Sequence, residues 1–162
     1  MKTKPQPPGP ILVPVDFSRH SASALAWAAG LAGRLDATLR VLHVVHDPES
    51  EPGYYSRVNE KGELQLIEDA AAEMMAEFLA TVIADNPDLP SLQSLEKTLL
   101  VGIPVTRILE EAAHCDACMI VIGSQGRTGL SHLLLGSKAE RVAQLSPIPV
   151  TIVKADRKDD DE

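Results

Sequence analysis

The residues best suited to chemistry stand in one stretch, Val121-Ile122-Gly123-Ser124-Gln125-Gly126-Arg127, followed after a short interval by Gly136-Ser137-Lys138. An apolar run, Met119 to Ile122, leads into a glycine-punctuated loop and then into a helix starting at Gly136, the strand-loop-helix layout that cradles phosphates. Gly123 and Gly126 carry no Cβ, so the backbone there is free to take φ > 0 and to bring its N–H groups close to an anion. Gly136-Ser137 places unpaired amides and the positive end of a helix dipole in the same space, and Ser137 adds a hydroxyl donor. The ligand this pattern predicts is a polyphosphate. Arg127 is placed either to neutralise a β- or γ-phosphate or to lie solvated, and Lys138 points either at phosphate or outward. His132, inside the same loop, lacks an orienting carboxylate nearby in sequence. Gly136-Ser137-Lys138 does not follow the Gly-Lys-Ser/Thr order of a Walker A loop.

These residues need elements to hold them. Ile11-Leu12-Val13-Pro14-Val15 reads as a first strand, its proline tolerable only where its N–H is not needed or the strand ends. Asp16 and Ser18 then precede a small-residue helix, 19–35, with Ala24, Leu25, Ala28, Ala32 and Leu35 on one side. Thr38 to Val45 is a second strand. Polar and turn residues from Asp47 to Gly62 read as a surface loop or lid, and Glu63 to Ala84 as a helix with Ile67, Ala71, Met74, Met75, Phe78 and Val82 at helical spacing. An edge strand is expected over Leu92–Val101, a helix from Pro104 to His114, a buried strand over Cys118–Ile122, a helix over Gly136–Leu145, and a last strand over Pro149–Val153.

Such alternation predicts a doubly wound α/β domain with a five-stranded parallel sheet in the order 3-2-1-4-5. Strands one and four, the most apolar, then lie adjacent at the centre, and a ligand crevice opens outside their carboxyl ends. Asp16 ends strand one and Gly123 ends strand four, so two sequence-distant signals meet there. Asp16 is either a helix cap or a carboxylate placed for ribose hydroxyls; Ser18 is available for the cap. Pro14 and Val15 either line the sugar and base or are plain core.

The pattern Gly-x2-Gly-x9-Gly-Ser resembles the nucleotide-binding signature of the universal stress protein family, in its ATP-binding branch. Val13-Pro14-Val15-Asp16-Phe17-Ser18 is similar to that family's first strand and turn, Leu42-His43-Val44 to the end of its second strand, Val101-Gly102-Ile103-Pro104 to its third strand and turn, and Ser146-Pro147-Ile148-Pro149-Val150 to the entry of its last. The resemblance implies an adenine-nucleotide alpha hydrolase-like, Rossmann-like fold and ATP as ligand, with Mg²⁺ or Mn²⁺ arriving on the phosphates. It implies ribose contact at Asp16, adenine contact by the Val44 backbone, and adenine-pocket walls at Ile122 and Gly102. It also implies a homodimer, formed here through the exposed last strand. A sensor or regulator in the stress response is the expected role. A slow ATPase or phosphotransferase using Asp16, His132 or Arg127, or an interaction module with no nucleotide, are the rivals.

Composition narrows the field. The 162 residues, 44% apolar, suit one domain able to bury a core. A formal net charge of -8 argues against a phosphate-backbone or anionic-membrane partner. No apolar run approaches the roughly 20 residues of a spanning helix and no signal-peptide core stands at the N-terminus, so a cytoplasmic protein is expected. Residues 1–10 read as a flexible Pro-rich arm, 11–154 as the nucleotide-binding domain and 155–162 as an acidic disordered tail. Cys115 and Cys118, preceded by His114, have C-x2-C spacing. They follow a helix and enter a strand, which denies them the helix N-terminus that activates a redox thiolate, and no second pair completes a zinc set. Cys118 is read as a small buried apolar residue. His20, His43, His46 and His114 show no metal-ligand spacing.

Overall fold

A computed structural model describes residues 8–46, 52–127 and 134–155. Five parallel strands, β1 (Ile11–Pro14), β2 (Leu39–Val45), β3 (Glu96–Val101), β4 (Met119–Gly123) and β5 (Val150–Val153), form one sheet in the order β3-β2-β1-β4-β5. Helices α1 (Arg19–Leu35) and α2 (Ile67–Asp85) pack with the odd-numbered side chains of β1, while α3 (Pro104–His114) and α4 (Ser137–Leu145) pack with Leu12, Leu42 and Ile120 on the other face. This is the doubly wound arrangement the alternation of elements predicts, with β1 and β4 as central neighbours.

Two details of β1 position the rest. Ile11 and Val15 donate their N–H groups to Thr38 and Leu42 of the β2 side at 2.9 and 2.8 Å, so strand alternation turns residue 14 toward β4. Residue 14 is a proline and has no N–H to give. Pairing of β1 with β4 accordingly ends at Leu12↔Ile120, although β1 stays in register with β2 to Pro14↔Leu42 and β4 with β5 to Gly123↔Val153. The two central strands therefore part company at their carboxyl ends, their pairing stopping where the missing donor would have been.

Helix α1 starts at Ser18, whose hydroxyl accepts the Ser21 N–H at 3.2 Å, and ends at Asp36 in the left-handed region, φ 53°. Its alanines allow the close approach to the sheet that their small size suggests: Ala24, Ala28, Ala29 and Ala32 are fully or almost fully buried. Leu35, expected on the same stripe, is exposed instead, because the helix unwinds into its cap one residue later.

Helix α2 begins at Ile67 and not at Glu63. The reason is local. The Asn59 side-chain oxygen accepts the N–H groups of Lys61 and Glu63, Gly62 takes φ 79°, and Val58 bridges Leu64 antiparallel, so these residues close a small hairpin before the helix can start. Ile67, at the first turn, is left exposed, while Ala71, Met75 and Val82 are buried and Met74 and Phe78 partly so. A 3₁₀ turn over Pro90–Gln93 delays β3 to Glu96. The end of the N-terminal arm is held: the Pro10 carbonyl accepts the Cys118 N–H at 3.0 Å. Residues 1–7 and 156–162, which include most of the arm and the acidic tail, lie outside the described residues.

Candidate functional site

At the mouth of the crevice the Asp16 carboxylate is held by two main-chain amides from opposite sides. Oδ1 accepts the Ser18 N–H at 3.1 Å and Oδ2 accepts the Arg127 N–H at 3.2 Å. Since Ser18 caps α1 with its own hydroxyl, the Asp16 side chain is not the helix cap. Its two oxygens retain further lone pairs for a ligand's hydroxyl groups. The loop after β4 lies directly against it: a Cβ on Gly126 would sit 2.9 Å from Asp16 Oδ2, and one on Gly136 would sit 3.2 Å from Gln125 Cα and Ser124 O. Residues more than a hundred positions apart thus meet, as the strand order requires.

The glycines work differently from expectation. Positive φ among the described glycines occurs at Gly53, Gly62 and Gly102, and neither Gly123 nor Gly126 adopts it. Their contribution is close approach. Gly123 lets β4 run against the first turn of α1, where a Cβ would meet the His20 carbonyl carbon at 2.8 Å and its oxygen at 2.9 Å. The Gly136 amide is spent on the Ser124 carbonyl at 2.8 Å, so the donors that α4 presents are the later first-turn amides, those of Ser137, Lys138 and Ala139, at a helix end with no side-chain cap. Ser137 is exposed at this end.

Side chains of β2 and of residues 53–55 complete the surroundings. Lys138 Nζ donates to His46 Nε2 at 3.4 Å, and His46 Nδ1 donates to the Val44 carbonyl at 3.1 Å, which joins α4 to the carboxyl end of β2. Arg127 lies over the Tyr54 ring, its Cζ 3.4 Å from the centroid, with Nη1 donating to the Asp16 carbonyl at 3.4 Å. Pro14, Val15, Val44 and Ile122 are buried at or next to the carboxyl ends of β1, β2 and β4. Gly102 stands one strand farther out, its N–H on Val45 O at 3.1 Å and its φ at 143°, a conformation favouring glycine. His132 lies outside the described residues. Cys115 and Cys118 sit at the opposite, amino end of β4, both partly buried; burial pushes the Cys115 thiol up, away from a reactive thiolate.

His43, Tyr54 and Tyr55 form a polar-aromatic cluster that pattern reading passes over. His43 Nδ1 donates to Val15 O at 2.7 Å, Nε2 accepts the Tyr55 hydroxyl at 2.8 Å, and the Phe17 ring stacks on the imidazole at 4.1 Å. A carbonyl only accepts, so the proton of the neutral ring is on Nδ1. Burial lowers the His43 pKa from 6.5 to about 4, against the pull of the Val15 hydrogen bond. The unfolded chain takes up this proton near pH 6.5 and the folded one only near 4, so stability is full above 6.5 and declines as pH falls toward 4. The loss is about 1.4 kcal/mol per pH unit over that window. Denaturant midpoints measured across it should show a steeper acid decline in the wild type than in His43→Gln; parallel curves would show that His43 does not titrate in this way. The available signal was the sequence itself: one histidine within an apolar strand, and both tyrosines of the chain side by side in a polar stretch.

A model of the universal stress protein family matches residues 9–154. A universal stress protein of Methanocaldococcus jannaschii is 31% identical over 151 residues, covering 92% of this chain and 84% of its own. The universal stress protein of Archaeoglobus fulgidus solved in complex with dAMP superposes with a TM-score of 0.60 at 23% identity, covering 92% of this chain and all of that one. A universal stress protein solved in complex with cAMP gives 0.62 at 22% identity, over 93% of this chain and 100% of its own. At these identities the two structures speak for the fold. Among the described residues no helix is long and apolar enough to cross a membrane.

Proposed function

The chain belongs to the universal stress protein family, and on that premise we propose that it is an ATP-binding member acting as a nucleotide-dependent sensor or regulator of the stress response in the cytoplasm. The observation that carries this reading is the Asp16 junction: a carboxylate pinned by the Ser18 and Arg127 amides where β1 and β4 diverge, with a gap at Gly126 that a single Cβ would fill. In this reading Asp16 grips the ribose; Pro14, Val15, Ile122, Gly123, Gly102 and the Val44 backbone surround the base and sugar. Gly126, Gly136, Ser137, Lys138, Arg127 and the first-turn amides of α4 receive the phosphates. The dAMP and cAMP held by the two solved relatives support an adenine nucleotide as the ligand class. Arg127 and Lys138, two cations at one end of a chain of net charge -8, support a ligand with several phosphates, on which Mg²⁺ or Mn²⁺ would travel.

Isothermal titration with ATP, ADP and AMP tests the reading. Binding of all three is expected, tightening as phosphates are added; failure of every adenine nucleotide to bind removes it. Homodimerisation through β5 belongs to the same proposal. Of the two edge strands, β3 carries the exposed charges Glu96 and Lys97, which discourage pairing, whereas β5 is Val150-Thr151-Ile152-Val153 with no charge. Sedimentation at micromolar concentration should show a dimer, and a monomer there refutes it.

A further inference from the structure

The contacts around Arg127 form a closed circuit. Its guanidinium lies on the Tyr54 ring. Tyr54 stands edge-on to Tyr55 at 4.9 Å, and the Tyr55 hydroxyl bonds His43, which bonds Val15. Phe17 stacks on His43, and Asp16, between Val15 and Phe17, receives both the main-chain N–H and Nη1 of Arg127. Phe17 is held at φ 67°, outside the ordinary range of a bulky residue, so the turn carrying Asp16 is set by these neighbours and not by its own preference. Two of the guanidinium's contacts, the Tyr54 ring face and the Asp16 carbonyl at 3.4 Å, are weak ones. Phosphate oxygens are better partners for it, being charged and matched to its fork of donors.

Resting on the nucleotide reading above, we propose that Tyr54 is a positioning residue that holds Arg127 away from the phosphates, and that a nucleotide's phosphate chain draws Arg127 off the ring and loosens residues 53–65 from the crevice. The main-chain hydrogen bonds of those residues run among themselves, Ser56 N–H to Gly53 O and Gln65 N–H to Arg57 O both at 2.8 Å, and side chains join them to the rest of the domain: the buried Tyr55 on His43 at 2.8 Å, Arg57 on Glu77 at 2.8 Å and Gln65 on Glu73 at 3.0 Å. Site occupancy is thereby reported on the surface by the Val58–Leu64 hairpin. The ligand feature that matters is phosphate: adenosine fills the base and sugar portions and leaves the Tyr54 contact closed.

Hydrogen exchange of the full chain, with and without saturating ATP or adenosine, reads the loosening directly, and titration calorimetry on Tyr54→Leu and Tyr54→Phe reads the competition. ATP should speed exchange over residues 53–65 severalfold and adenosine should not. Tyr54→Leu should bind ATP about threefold to tenfold more tightly, by removing a contact that competes for Arg127, while Tyr54→Phe, which keeps the ring, should match the wild type. If ATP binds but leaves exchange over residues 53–65 unchanged or slower, if adenosine speeds it equally, or if Tyr54→Leu weakens ATP, the latch is overturned and the nucleotide site stands. If neither ATP nor any shorter adenine nucleotide binds, both fall. Should adenosine bind too weakly to saturate, the sign of the Tyr54→Leu effect decides.

Discussion

Gly126→Val should remove the proposed nucleotide binding and leave the fold standing. The valine Cβ would lie 2.9 Å from Asp16 Oδ2, closer than side-chain carbons approach, and its two methyl groups extend farther into the same gap. A carboxylate at the end of a side chain ordinarily swings aside at little cost. This one is pinned on both oxygens by the Ser18 and Arg127 amides, so moving it breaks two charge-assisted bonds and turns the proposed ribose acceptor away from the ligand. Loss of the carboxylate's bonds to a bound sugar is worth about 3 kcal/mol, on the order of a hundredfold in affinity. The fold is spared because Gly126 lies beyond the end of β4, half-buried, and without the positive φ that would make any side chain a strain there. Calorimetry with ATP and a thermal melt on the same sample check both halves. Wild-type affinity in the variant would show that this loop is not the cradle.

The location of that gap was legible in the sequence because it depends on topology, and topology follows from coarse signals. Apolar runs separated by helical periods dictate a parallel sheet, and strand order then brings Asp16 to Gly126 whatever the side chains between them do. The helix ends that carry their own chemistry were legible too, as at Ser18 and Pro104. The purpose of the glycines was not. Whether a glycine is there for its φ or for its missing Cβ depends on the distance to another element, and His20 and Asp16, which set those distances, are remote in the chain. The start of α2 was hidden for a different reason. The helical spacing runs back past Ile67, but the Asn59 side chain and Gly62 offer the backbone a turn that competes locally with the helix and wins. The Arg127–Tyr54–His43 circuit left no periodic trace at all, since it joins a strand, a turn and a loop through single residues.

Gly123→Val separates packing from binding, and its expected effect on stability is the largest of any change at the site. Here the added Cβ meets main chain and not a side-chain tip: the His20 carbonyl carbon at 2.8 Å and oxygen at 2.9 Å, in the first turn of α1. Neither partner yields cheaply. Gly123 is the last residue of β4, paired with Val153 of β5. The first turn of α1 is fixed by the Ser18 cap, and the helix behind it by alanines buried against the sheet. Overpacking of this kind costs about 3 kcal/mol, the upper end of the usual range, and lowers the melting temperature of a domain this size by roughly 6–12 °C. Whatever room is found comes from moving α1 away from β4, and Asp16 to Ser18 lead into α1, so the carboxylate proposed to grip the ribose shifts with it. Affinity should therefore fall together with stability, whereas Gly126→Val loses affinity alone. A melt of Gly123→Val within about a degree of the wild type would mean that α1 and β4 are farther apart than 2.8 Å contacts imply, and that the strand's final glycine is there for the ligand after all.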